Sequence, residues 1–164
     1  MVKKMKNREL VIIPSIIIFI GLFLYLIGDT VSSSFFKILL PQGNSIFEFL
    51  KIYFAAFLLI YISGIFTSDK QTNNHLFSRV IGSIIMMGVT VLLGSLGYLV
   101  FGETTSFMLL VIFVVSTWIG QGAVYLLQTY NFKHGIIIAL ILQTLIALLI
   151  SYYTFFPLEN YLFI

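Results

Sequence analysis

The chain has 164 residues, of which 60% are hydrophobic and 9% charged, with a net charge of +3 and no cysteine. A soluble domain carries roughly 25% charged residues, so this chain has too little polar surface to cover a globule in water and takes the bilayer as its solvent. The missing cysteine excludes disulfides, thiol catalysis and thiolate metal sites. Nucleic-acid binding is excluded too, because the basic residues form no basic–aromatic surface.

Divided by membrane spans of about 20 residues each, the length allows five helices with short connections and no soluble domain. The expected architecture is all-α: one transmembrane domain over residues 1–164, with spans at about 9–28, 45–66, 77–101, 107–129 and 135–156.

The first span follows the basic flank Lys3, Lys4, Lys6 and Arg8, an orientation signal that also suits anionic lipid. Its apolar run, Leu10 to Gly28, is longer than the roughly 7–15 residues of a signal-peptide core. It therefore reads as a retained span, with Ser32, Ser33 and Ser34 leaving cleavage as the alternative. Pro14 falls in the first turns, where a missing N–H costs least. Asp29 and Thr30 close the span. Val31 to Leu40 is too short to cross and reads as an interfacial segment along the headgroups.

The second span starts after Pro41-Gln42-Gly43. Ser45-Ile-Phe-Glu48 fits a capping box, in which the serine oxygen and the glutamate each satisfy an orphan N–H. The polar stretch Thr67 to His75 reads as a solvent loop. In the third span Ser83, Thr90, Gly94 and Gly97 share one face, with Met87 filling the gap, as close helix packing in membranes requires. Gly102 to Ser106 forms a tight turn. Span four holds Ser116, Thr117, Trp118, Gly120, Gln121 and Gly122, and Tyr130 to His134 is the next turn. Span five carries Ala139, Gln143, Ala147, Ser151 and Thr154 along one stripe and ends at Pro157, before a short aromatic tail.

With the N-terminus inside, inner segments hold Lys3, Lys4, Lys6, Arg8, Lys70, Arg79 and Lys133, while outer ones hold only Lys37 and Lys51 as basic residues. The outer acids are Asp29, Glu48, Glu103 and Glu159. This bias predicts an inside N-terminus and an outside C-terminus.

Ionisable residues in a membrane span are functional candidates by default. Glu48 and Lys51 lie about one turn apart and pair on one helix face. At about 5 Å along the helix, Glu48 is shallow enough for both groups to snorkel to the outer interface. They form either a cap with a local ion pair, Ser45 included, or an outward-facing site for an ion, a proton or a ligand headgroup. Gln121 and Gln143 lie deeper and need partners; they bond to each other across a helix contact or line a cavity. His75 and His134 read as loop residues, and no metal or cofactor is expected. Trp118, Tyr152, Tyr153 and Tyr161 suit an aromatic belt or helix packing. Motifs of zinc proteases, phosphate loops and serine hydrolases are missing from the sequence, and no catalytic residue is assigned.

The stretch Pro41 to Lys51 resembles the signature of a family of small bacterial multi-pass membrane proteins, a domain of unknown function. That signature reads Pro-Val-Asn-Glu-Ser-x-Trp-Glu-His-x-Lys at the start of the second span. Pro41, Ser45, Glu48 and Lys51 match it, while Gly43, Asn44, Phe47 and Phe49 stand where Asn, Glu, Trp and His occur. The likeness continues at Ile119-Gly-Gln121 with Tyr125, at Thr154-Phe-Phe-Pro157, and at Leu162-Phe163. It implies the multi-span architecture and no particular activity. With Phe49 in the histidine's place, it implies no role built on a Glu-His pair.

Three functions follow for a protein of the cell membrane. The first is a non-enzymatic accessory or interaction subunit that binds another membrane protein or itself, as the small-residue faces suggest. The second is a small transporter component or channel with its site at Glu48 and Lys51, extended by Gln121 and Gln143. The third is a lipid-modifying enzyme, for which Glu48 is the one carboxylate placed as an acid or base.

Overall fold

A computed structural model of the chain describes residues 8–28, 30–31, 36–66, 73–130, 132–159 and 162–163. Among these residues every regular element is helical. A π-helical turn, Arg8–Ile12, leads into α1, Ile13–Gly28, and a 3-10 turn, Phe36–Ile38, follows. The remaining helices are α2, Ile46–Phe66; α3, Asn73–Phe101; α4, Ser106–Leu127; and α5, Gly135–Phe155. The expected close of span one at Asp29, the serines at 32–34, Lys70 with most of its loop, and Tyr161 lie outside the described residues.

Four segments are long and apolar enough to cross a bilayer: Leu10–Gly28, His75–Phe101, Ser106–Leu127 and Gly135–Phe155. Helix α2 has 21 residues, or about 31 Å at 1.5 Å per residue. The outer faces of the four segments are apolar: Leu26, Leu99, Phe107 and Leu148, one from each, expose more than 60% of their surface. Such faces find their counterpart in lipid.

The π-helical turn stands just before Pro14. A proline lacks the N–H for the i−4 carbonyl and its ring pushes that carbonyl away, and a widened turn accommodates both. Ser15 Oγ donates to the Val11 carbonyl over 2.7 Å, taking up an acceptor in the same turn.

Helix α3 is the hub, packed most extensively along α4 and also against α2 and α5, while α1 packs on α2 and α4. The α3–α4 contact rests on two glycines. A Cβ on Gly120 would come within 2.8 Å of the Gly82 carbonyl oxygen and would overlap Met86; one on Gly82 would overlap Val124. The main core joins Ile13 and Ile17 of α1 to Ile46, Phe49, Ile52, Tyr53 and Ala56 of α2, with Met86, Leu109 and Phe113 closing it.

Helix boundaries differ from the hydropathy-based expectation mainly at α3. The expected loop reached His75, but the helix already begins at Asn73. Hydropathy marks where lipid begins, whereas helical hydrogen bonds extend beyond it into polar residues. Among the described residues of 31–40, Leu40 is buried against Leu24 and Ala55, with Val31 and Leu39 packed on the same cluster, while Phe36 stays exposed.

Candidate functional site

The end of α2 is built by four backbone segments meeting. Gly43, at φ 139°, turns the chain in a conformation that glycine readily adopts. Ser45 then opens α2: its Oγ accepts from the Glu48 N–H at 3.3 Å. The neighbouring orphan donor, the Phe47 N–H, bonds over 2.9 Å to the Leu162 carbonyl of the C-terminal tail. Phe163 stacks on Phe47 with centroids 4.7 Å apart, fixing the tail against the helix start.

The capping box is half formed. Glu48 does not close it on Ser45; its Oε2 accepts from the Gln42 N–H at 2.6 Å instead. Its other oxygen, Oε1, takes the Lys51 ammonium at 2.7 Å. The glutamate therefore ties the incoming loop to the next helical turn rather than folding back on its own cap. Gln42 holds the loop further through Nε2, which donates to the Val31 carbonyl at 3.0 Å. Asn44 accepts at Oδ1 from the Tyr25 hydroxyl of α1 at 2.7 Å.

Lys51 is where the structure departs most from the snorkelling reading. The residue is 1% exposed. Its Nζ donates to the Lys37 carbonyl at 3.0 Å as well as to Glu48, and stands 5.4 Å from the Phe47 ring centroid, within cation–π range. The segment around Lys37 folds over the start of α2 and supplies the oxygen that water or a headgroup would otherwise offer. The Glu48 side chain keeps 16% exposure, so what solvent access the pair has runs through the carboxylate. Among the described residues, this is a closed knot of opposite charges with its donors and acceptors matched.

The deeper candidates are held apart from the knot and from each other. Gln121 on α4 is 4% exposed, with an Oε1 that has no hydrogen-bond partner among the described residues. Both amide atoms of Gln143 on α5 are likewise buried without a partner, so the two amides do not bond to one another. The reason is geometric: α3 lies between, packing along α4 on one side and α5 on the other. Gln121 instead borders a small cavity with Tyr53, Arg79 and Ser83. Neither Glu48 nor Lys51 lines it.

Phe49, at the position where the resembling family has histidine, points into the core at 0% exposure, between Tyr25 and Phe113. His75 is not a loop residue: it sits in the first turn of α3, its Nε2 3.3 Å from Arg79 Nη2. His134 immediately precedes α5 and makes no side-chain cap. Among the described residues no three His, Asp or Glu side chains gather as a metal site would need.

Sequence reasoning missed two parts of this end. The Lys37 and Leu162 carbonyls are backbone groups brought in from 14 and about a hundred residues away, and no residue type announces them. Tyr53 was also passed over; it is 2% exposed and its hydroxyl contacts Thr90 Oγ1 at 2.9 Å and the Phe113 carbonyl at 3.2 Å. A tyrosine two turns inside an apolar helix was the available signal, since a buried hydroxyl needs a partner. Comparisons with models of protein families, with curated proteins and with solved structures return no match.

Proposed function

We propose that the chain is a five-span protein of the cell membrane with an inside N-terminus and an outside C-terminus, and that it works as a non-enzymatic accessory or interaction subunit. The observation that carries this reading is the closure of the Glu48–Lys51 pair. A pair that shares a backbone carbonyl, a backbone N–H and an aromatic face has little capacity left for a ligand. In this reading the knot fastens the outer end of α2, and the apolar flanks of the helices meet lipid or another membrane protein. The positive-inside bias supports the orientation.

The resemblance to small bacterial multi-pass proteins fits the same reading. Its four matched residues lie together here: Ser45 caps α2, Glu48 and Lys51 form the ion pair, and the Pro41 carbonyl packs where a Cβ on Gly28 would overlap it. A signature of this kind serves to fold a helix start. The rival reading, a transporter component or channel, draws on one observation, the Gln121 amide beside a small cavity of mixed lining.

Native mass spectrometry after gentle extraction, wild type against Glu48→Gln, tests the proposal. A protein partner or second copy in fixed stoichiometry, retained in both, is the expected result. A lipid or small molecule bound to the wild type and lost from the variant would overturn it.

A further inference from the structure

Tyr53, Arg79, Ser83, Met86 and Gln121, with one apolar side chain each from α1 and α2, line a cavity of about 20 Å³ inside the bundle. We propose that this cavity is an internal hydration site in which Gln121 Oε1 and the polar groups facing it hold one or two water molecules.

The first ground is the unmet acceptor. Gln121 is 4% exposed and its carbonyl oxygen has no partner among the described residues, a state that buried amides rarely keep. The second is size and lining. A water needs about 10–15 Å³ of such space and two to four polar partners. The cavity is large enough, and a guanidinium, two hydroxyls and an amide border it. A void lined only by apolar groups would stay dry; here Ile17, Phe57 and Met86 are joined by four residues that carry polar groups, enough partners for one water.

The hydroxyl of Tyr53 has one proton, and the Phe113 carbonyl can only accept. Both of its bonds form when Tyr53 donates to Phe113 and Thr90 donates to Tyr53; the Ser116 and Thr117 hydroxyls stand by the same oxygen and compete with water for its second lone pair. Arg79, Ser83, Met86 and Thr90 follow one another at spacings of four, three and four along one face of α3. Water in the cavity extends this row into a polar seam reaching from the first turns of α3 to the Tyr53–Thr90 pair.

X-ray hydroxyl-radical footprinting of the full chain in lipid nanodiscs tests the proposal, since radicals form from ordered water and react with the side chains beside it. Tyr53 and Met86 are 2% and 3% exposed, so bulk solvent does not reach them. The expected result is oxidation of both at several times the level of Phe49 and Phe113, after correction for intrinsic reactivity, with a several-fold loss in Gln121→Leu. Oxidation no higher than at the two phenylalanines would make the cavity dry and overturn the proposal. That comparison needs the wild type alone, so a variant that fails to fold does not rescue it. Equal oxidation in wild type and a folded Gln121→Leu protein would overturn it as well, because Gln121 would not be the group that holds the water.

Discussion

At Lys51 the environment makes the two halves of the ion pair unequal. The ammonium is enclosed, while the carboxylate keeps a fraction of its surface open and has the Gln42 N–H besides. Removing one partner of a buried pair strands the other charge, at a cost of about 3–5 kcal/mol. Glu48→Leu leaves the more deeply buried charge with only the Lys37 carbonyl and the Phe47 ring, no counter-charge and no water, and is expected to cost that much. Lys51→Met leaves a carboxylate that still reaches water and a backbone donor, and is expected to cost about 1–3 kcal/mol. The double variant is expected to cost less than the sum, since no lone charge remains. Equilibrium unfolding in mixed micelles measures all three; a larger cost for Lys51→Met than for Glu48→Leu would contradict this assignment of burial. The pairing itself was legible, because residues three apart face each other on a helix. Its closure was not, because the Lys37 carbonyl carries no side-chain signature.

Among the elements, the α3–α4 contact depends on glycine at some positions and not at others. Gly120→Val forces atoms into the Gly82 carbonyl and Met86, and overpacking of this kind costs about 1–3 kcal/mol. Two residues on, a Cβ at Gly122 meets nothing within 4 Å, so Gly122→Ala is expected to be neutral or to stabilise by about 0.5–1 kcal/mol. Thermal unfolding of the two variants side by side checks the contrast. The sequence reading placed the close-packing face on Ser83, Thr90, Gly94 and Gly97, and its glycines do hold neighbours, Ile46 and Met108. The closest helix approach uses Gly82 with Gly120, because small residues mark possible contact faces without saying which faces meet. The tail provides a second test. Removing residues 161–164 withdraws the Leu162 carbonyl from the Phe47 N–H. Hydrogen exchange at that amide is expected to rise on the order of tenfold, as loss of one hydrogen bond of about 1 kcal/mol or somewhat more implies. Unchanged exchange would mean that another acceptor caps the helix.

For the whole molecule, the all-helical class and four of its membrane-length helices were legible because lipid imposes long apolar runs that few other structures need. The arrangement of those helices was not, since lipid-facing and helix-facing positions are apolar alike. Gln121 and Gln143 illustrate the limit: each amide demands a partner, yet nothing in their spacing shows that α3 lies between them. The same uniformity hides the packing of residues 39 and 40: their leucines suit a headgroup boundary as well as the cluster with Leu24 and Ala55 that they join.

The central claim is that Glu48 and Lys51 form a closed anchor at the start of α2, and lysine acylation tests it most directly. In the proposed orientation Lys37 and Lys51 both lie outside; Lys37 is partly exposed and Lys51 is buried. Intact cells treated with a membrane-impermeant acylating reagent, followed by peptide mass spectrometry, are expected to show modification at Lys37 and none above background at Lys51, Lys70 or Lys133. Modification of Lys51 at a rate like that of Lys37 would mean that the knot stands open and is a site after all. Modification of Lys70 and Lys133 with Lys37 spared would reverse the orientation.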